Sequence, residues 1–273
     1  MIEAPVFELQ ALEGSAPGPR AILRVMQVLG HLAEHPQGRT LGQLCEALGV
    51  PKTTLFTMLR TLQGSGHLEV ASGVYRLGPL AVALGAAMAA SARRNFPECA
   101  RESLQSLSRR TGETSFLAVL TADGMNCRYV SVIESGNWLR FSVLPDSLKP
   151  SYATGTGHAM LAYLPPAEVE AILERVHFEK LTRKTVGSRK ALLAALARVR
   201  EEQVSVTDSG TVAEVMSVAA PIFDASGRVM AAVSAGGPAA RMAPHLSSIR
   251  RMVRGTAEDI SRTLGLVGDW PPA

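Results

Sequence analysis

The residues with chemistry to offer lie in a few short stretches. Thr53, Phe56, Thr57 and Arg60 are spaced i, i+3, i+4, i+7 and share one face of a helix, with Lys52 and Thr54 beside them. Threonine hydroxyls can meet base edges, Phe56 can touch a thymine methyl, and Lys52 and Arg60 suit phosphates, so this face has the chemistry of a major-groove reader. Arg39 and Thr40 before it, and Arg76 beyond it, can add backbone or minor-groove contacts. A solvated amphipathic helix would present the same face, so the elements around it must decide. A second stretch, Tyr152-Ala153-Thr154-Gly155-Thr156-Gly157-His158, opens a helix with hydroxyls and small residues. Its free N–H groups suit a carboxylate, and ordinary capping explains it equally well. The third glycine of a dinucleotide fingerprint is missing there, and no βαβ unit surrounds it.

Catalysis and metals fit poorly. No Gly-x-Ser-x-Gly elbow, His-Glu-x-x-His or Walker loop occurs. The six histidines read as surface or capping groups, and the three cysteines, Cys45, Cys99 and Cys127, lack zinc or redox spacing. Cys127, on a strand, reads as a buried inert thiol. The expectation is a protein that is not an enzyme and needs no metal or cofactor.

The elements that must position these residues follow from pattern. The chain has 273 residues, 47% apolar and 19% charged, enough for a sizeable core in one or two domains. No apolar run reaches the ~20 residues of a membrane span and no signal sequence opens the chain, so a cytoplasmic location is expected. Residues 18–95 carry eight bases against three acids, which concentrates the net charge of +4 in one segment. Breakers at Gly14–Pro19 suggest a mobile tail over residues 1–19. Ile22, Val25, Met26, Leu29, Leu32 and Ala33 then fall at helical spacing. Thr40 caps a short helix, Leu41 to Leu48, that ends at Gly49, and Pro51 starts the helix bearing Thr53 to Arg60, whose other face is Leu55, Met58, Leu59 and Leu62. His67–Val70 and Val74–Leu77 flank Gly73 as a hairpin. Three short helices and a hairpin make a winged helix-turn-helix.

Pro79 to Ala92 is apolar nearly all round and needs a partner to cover it. Beyond it we expect a helix from Pro97 to Arg110, strands near Ser115–Leu120, Asn126–Ile133 and Trp138–Val143, and helices Gly157–Leu164, Pro166–Val176 and Ser188–Glu202. Strands Ser217–Phe223 and Val229–Ala235 and a helix from Pro244 to Leu264 complete the chain. Hairpin-linked strands place it in the α+β class with a largely antiparallel sheet.

Three stretches together resemble the IclR family of bacterial transcription regulators: Leu59-Arg60-Thr61-Leu62-Gln63-Gly64-Ser65-Gly66; Val74-Tyr75-Arg76-Leu77-Gly78-Pro79-Leu80; and Ser217-Val218-Ala219-Ala220-Pro221-Ile222-Phe223-Asp224 leading to Ser234-Ala235-Gly236-Gly237-Pro238. The resemblance implies a DNA-binding winged helix over 20–79, a linker and dimerisation helix over 80–95, and a GAF-like effector domain over 96–268. It implies double-stranded, palindromic operator DNA as partner and assembly as a homodimer or a dimer of dimers. It places Asp208, Ser209, Ser217, Ser234 and Gly236 around an effector pocket, to which the reading above adds Thr154, Gly155 and Thr156. Leu144 and Leu148 are expected as apolar wall, with Trp138 near. Thr57 stands where similar proteins often carry Arg, and Gly157-His158 where they carry Gly-Lys. Amides beside hydroxyls suit a small organic acid, and Asp208 would favour a hydroxylated or phenolic one. The rival reading is a small-molecule-binding or hydrolysing α+β protein whose helix-turn-helix serves protein contacts.

Overall fold

The structure, a computed structural model, describes residues 20–272, so the tail expected over 1–19 lies outside the described residues. The chain divides into two compact units, one up to Arg94 and one from Asn95. Among the described residues no helix is long and apolar enough to cross a membrane.

In the first unit α1 (Arg20–Glu34) leads through a turn to the short strand β1 (Arg39–Thr40). Gly38 in that turn has φ +84, and a Cβ there would lie 2.6 Å from the Tyr75 carbonyl oxygen, so only glycine fits. Thr40 and Gln43 form a reciprocal capping box that starts α2 (Leu41–Leu48), and Gly49 ends it in the left-handed region at φ +62. Next come α3 (Lys52–Gly64), β2 (Leu68–Ala71) and β3 (Val74–Leu77). The two-residue loop Ser72-Gly73 has φ +52 and +77, the type I′ geometry that matches strand twist. Val28, Leu32, Leu44, Leu55, Leu59 and Leu68 fill the core of this winged helix. The expected apolar line of α1 is rotated. Ile22, Met26 and Ala33 are exposed, whereas Val28 and Leu32 are buried and Val25 and Leu29 half-buried. The segment's apolar residues outnumber the positions that face α2 and α3, so periodicity alone could not assign them.

The division between units falls within α4 (Pro79–Cys99), which ends beyond the expected boundary at Pro97. Pro97 sits inside the helix, and α5 (Arg101–Thr111) follows after Ala100, whose backbone stays helical at φ −82 and ψ −10. The proline removes one backbone N–H from the helix.

The second unit is a six-stranded, wholly antiparallel sheet. Its strands are β4 (Thr114–Leu120), β5 (Asn126–Ile133), β6 (Leu148–Pro150), β7 (Ser205–Asp208), β8 (Val215–Phe223) and β9 (Val229–Pro238), in the order β6-β5-β4-β9-β8-β7. The helices are α6 (Gly155–Leu161), α7 (Pro166–Leu173), α8 (Arg189–Glu202), α9 (Ala239–Met242) and α10 (Leu246–Thr263). Period-two alternation sorts the sheet's side chains into two cores. Leu117, Val218, Ile222 and Val233 meet α5 and α10, while Phe116, Ala118, Ala219 and Ala232 pack with α6. This is the α+β architecture expected, with two corrections. Trp138–Val143 forms no strand; its burial alternates only from Arg140 to Val143, its Phe141 carbonyl accepts from Thr114 Oγ1 at 2.6 Å, and β6 takes the place beside β5. The last expected helix, Pro244 to Leu264, is α10 preceded by a 3₁₀ turn at Ala243–His245, and the short α9 before that turn was not expected.

Candidate functional site

Burial of Leu55, Leu59 and Leu62 fixes the rotation of α3 and leaves Lys52, Thr53, Phe56, Thr57 and Arg60 exposed together on the outer side, with Thr54 half-buried at its edge. Phe56 is 44% exposed, an unusual setting for an aromatic ring without a partner. Thr57 donates its hydroxyl to the Thr53 carbonyl at 3.0 Å, so it offers outward only acceptor pairs and a methyl group. The flanking residues are less free than expected. Thr40 is engaged in the capping box. Arg39 is half-buried, its backbone opposite Tyr75 across β1 and β3, and Arg76 donates Nε to the Gln37 carbonyl at 3.0 Å. That bond ties the wing to the turn after α1 and leaves the end of the guanidinium to reach outward.

In the second unit a cavity lies on the α6 side of the sheet. Phe116, Tyr129, Phe141 and Val143 form its apolar side, Thr154, Thr207, Thr211 and Ser217 bring hydroxyls, and Lys149 brings a cation. Phe116 stands edge-on to both Tyr129 and Phe141, at 5.7 and 5.8 Å between ring centroids. Ser217 and Ser234, diagonal neighbours on β8 and β9, share a hydrogen bond of 2.8 Å. Thr154 caps α6 by accepting from the Gly157 N–H at 3.1 Å, and its hydroxyl lies 3.5 Å from Cys127 Sγ. Burial pushes the Cys127 thiol up to about 11, which keeps it protonated and inert at neutral pH. The Tyr129 phenol is also raised by burial. Thr156 Oγ1 is buried beside this pair and favours their ionised forms, yet makes no hydrogen bond of normal geometry. Free space in the cavity is about 30 Å³, roughly one water.

Of the residues expected around a pocket, Thr154, Gly155 and Ser217 line this cavity, and Thr156 and Ser234 lie buried behind them. Gly236 gives room to the aromatic wall, since a Cβ there would be 2.8 Å from the Phe116 ring. Five residues expected at or near the pocket lie outside it. Leu144 and Leu148 are 76% and 52% exposed, because the inward positions fall on their neighbours Val143 and Lys149; Trp138 is fully exposed. Asp208 sits at the end of an edge strand where Thr207, paired with Ser217, takes the inward position. Its carboxylate is bonded first to Lys184 and then to Ser209, which hold it below the usual range. Ser209, with φ +57, is a turn residue that accepts from the Glu214 N–H at 3.0 Å. His158 is buried and donates Nε2–H to the Tyr152 carbonyl at 2.6 Å, away from the cavity. The sequence reading missed Phe116, Tyr129, Phe141, Val143, Lys149, Thr207 and Thr211. Alternation along β4 and β5 carries a signal for Phe116 and Tyr129, whereas Lys149 depends on the unrecognised strand β6.

Two family models match the chain: the IclR helix-turn-helix domain over residues 21–71 and the bacterial transcriptional regulator IclR C-terminal domain over residues 88–262. It is 31% identical over 250 residues to the HTH-type transcriptional regulator XynR of Escherichia coli K12, covering 90% of this chain and 97% of that one. It is 30% identical over 258 residues to KdgR, another HTH-type transcriptional regulator of that strain, covering 93% and 96%. The fold is similar to that of Pseudomonas aeruginosa HmgR, with TM-score 0.70 and 25% identity over 92% of this chain and all of that one. An IclR transcriptional regulator from Silicibacter sp. TM1040 superposes with TM-score 0.75 and 26% identity over 93% and 99%. With both of its units matched, in order and at nearly full length, the chain belongs to the IclR family of DNA-binding transcription regulators, which are not enzymes.

Proposed function

We propose that this chain recognises a specific operator in double-stranded DNA through α3 and the wing, and that a small organic acid in the effector cavity modulates that binding. The observation that carries the DNA reading is the exposed row Lys52, Thr53, Phe56, Thr57 and Arg60 on a helix whose opposite face is buried at Leu55, Leu59 and Leu62. Cations at its ends meet phosphates, and the threonines and the phenyl ring between them meet base edges. For the ligand, Lys149 supplies a positive partner for a carboxylate, Thr154 and Ser217 supply hydrogen bonds, and the three aromatic rings favour a flat or short apolar body. With Asp208 outside the cavity, the case for an additional ligand hydroxyl no longer rests on it.

The same reading assigns a cytoplasmic homodimer. Leu80, Val82, Leu84 and Met88 of α4 are each at least half exposed, an apolar surface suited to a second copy, and a two-fold dimer matches a palindromic operator. Gel-shift titration against the promoter beside the gene, at several salt concentrations, tests the DNA reading. Phosphate contacts give a steep negative slope of log affinity on log salt, and Arg60→Ala reduces that slope by about one. A flat salt response, or Arg60→Ala leaving affinity and slope unchanged, refutes it.

A further inference from the structure

The histidines are less scattered in space than in sequence. His31-Leu32-Ala33-Glu34-His35 closes α1, and the i, i+3, i+4 spacing puts His31, Glu34 and His35 on one side of the last turn. One ligating atom from each lies within 4.8 Å of the other two, and all three residues are half-buried. Among the described residues this is the one such grouping. The two imidazole rings stand 4.3 Å apart between centroids, tilted by 31°.

A second observation concerns the tautomer. His35 Nδ1 lies 2.7 Å from the His31 carbonyl oxygen, which can only accept, so Nδ1 carries the proton and Nε2 holds the free lone pair. A backbone carbonyl that fixes one ring nitrogen and leaves the other to ligate is the supporting arrangement typical of metal-bound histidine. The position also suits a cation, because the C-terminal end of a helix is its negative pole. Arg39 is a like charge for a metal beside His31, and the Glu34 carboxylate opposes it.

We propose that His31, Glu34 and His35 form a surface site for a divalent transition metal of borderline softness, such as Zn²⁺. Two imidazoles and a carboxylate are a donor set that suits Zn²⁺ and its neighbours over Mg²⁺ or Ca²⁺. Tetrahedral ligation at ~2.0 to 2.1 Å sets donor atoms roughly 3.3 Å apart, so side-chain rotation of an ångström or two completes the site, with water in the fourth position.

The test is calorimetric titration of the full chain with Zn²⁺ after chelator stripping, with far-UV circular dichroism to check folding. The expected result is one site per chain that His31→Asn and His35→Asn each weaken at least about tenfold, with Mg²⁺ giving no heat. Glu34→Gln, which keeps the helix surface nearly isosteric, weakens binding as well and carries the test if a histidine variant unfolds. Absence of Zn²⁺ binding, or binding that all three folded variants retain unchanged, overturns the proposal.

Discussion

Replacing Arg241 with alanine strips Glu113 of both its charged donors. The guanidinium meets that carboxylate through Nε and Nη2, each at 2.6 Å, and Nη1 donates to the Leu139 carbonyl at 2.9 Å. The side chain of Glu113 is 3% exposed and that of Arg241 35%, so truncation leaves an almost dry carboxylate without a counter-charge. Breaking a fully buried pair costs about 3 to 5 kcal/mol. Water can enter the space vacated by a third-exposed arginine, which places this case near the lower figure, about 3 kcal/mol. In a unit of this size that is a fall of roughly 6 to 12 °C in Tm, measured by thermal unfolding and checked by a lower urea midpoint at unchanged slope. Adding Glu113→Gln should restore more than half of the loss, because a neutral amide is less costly to bury than a carboxylate. A loss under about 1 kcal/mol, or no relief from the glutamine, would show that the carboxylate is solvated and the clamp idle.

Lys149→Met should abolish the thermal stabilisation given by any organic acid that binds the unaltered protein, while leaving the ligand-free Tm within a degree or two; a retained shift would place the anion elsewhere. Burial lowers the affinity of His158 for protons, although the Tyr152 carbonyl works the other way, so the unfolded chain binds more protons once pH falls below about 6.5. Stability should therefore drop as pH goes from 7 towards 5, and His158→Gln should flatten that slope in denaturant titrations. Cys127 should react with an alkylating reagent at pH 8 about a hundredfold more slowly than an ordinary thiol, given a shift from 9.0 to about 11, with exposed Cys99 as the internal comparison. In sedimentation, Leu84→Lys should dissociate the dimer at micromolar concentration, and an already monomeric unaltered chain would refute the assignment of α4.

The first unit was the more legible in sequence, because its signals are local. Thr40 with Gln43, Gly49 after α2, Pro51 before α3 and Ser72-Gly73 in the hairpin each mark an element end through backbone chemistry that neighbours hardly alter. The long strands β4, β5, β8 and β9 were legible through period and hairpin turns. What escaped was set by pairing. β6 and β7 are three and four residues long, and their identity comes from lying beside β5 and β8. With those edges unread, the inward parity of Thr207 against Asp208, and the placement of Lys149, had no basis in the sequence.

That failure at the sheet edges bears on how an effector can act. The cavity is walled on one side by Phe141 and Val143, from a segment that forms no strand of its own. This segment is held by Thr114 to the Phe141 carbonyl, by Arg241 to the Leu139 carbonyl, and by Arg140 and Ser142 to Glu134. Free space of about 30 Å³ admits a water and excludes any metabolite, so binding requires the wall to move outward or the Phe116–Phe141 contact to open. A ligand that needs a different wall position necessarily prefers one conformation over another, and that differential affinity is what shifts a population. The clamp at Arg241 is one of these ties and adds to the cost of opening. Arg241→Ala should accordingly tighten effector binding even as it lowers stability, a pairing that simple loss of folded protein cannot produce. Titration calorimetry on the folded variant, well below its Tm, separates the two; weakened binding there would mean that the wall acts as a fixed surface rather than a movable one.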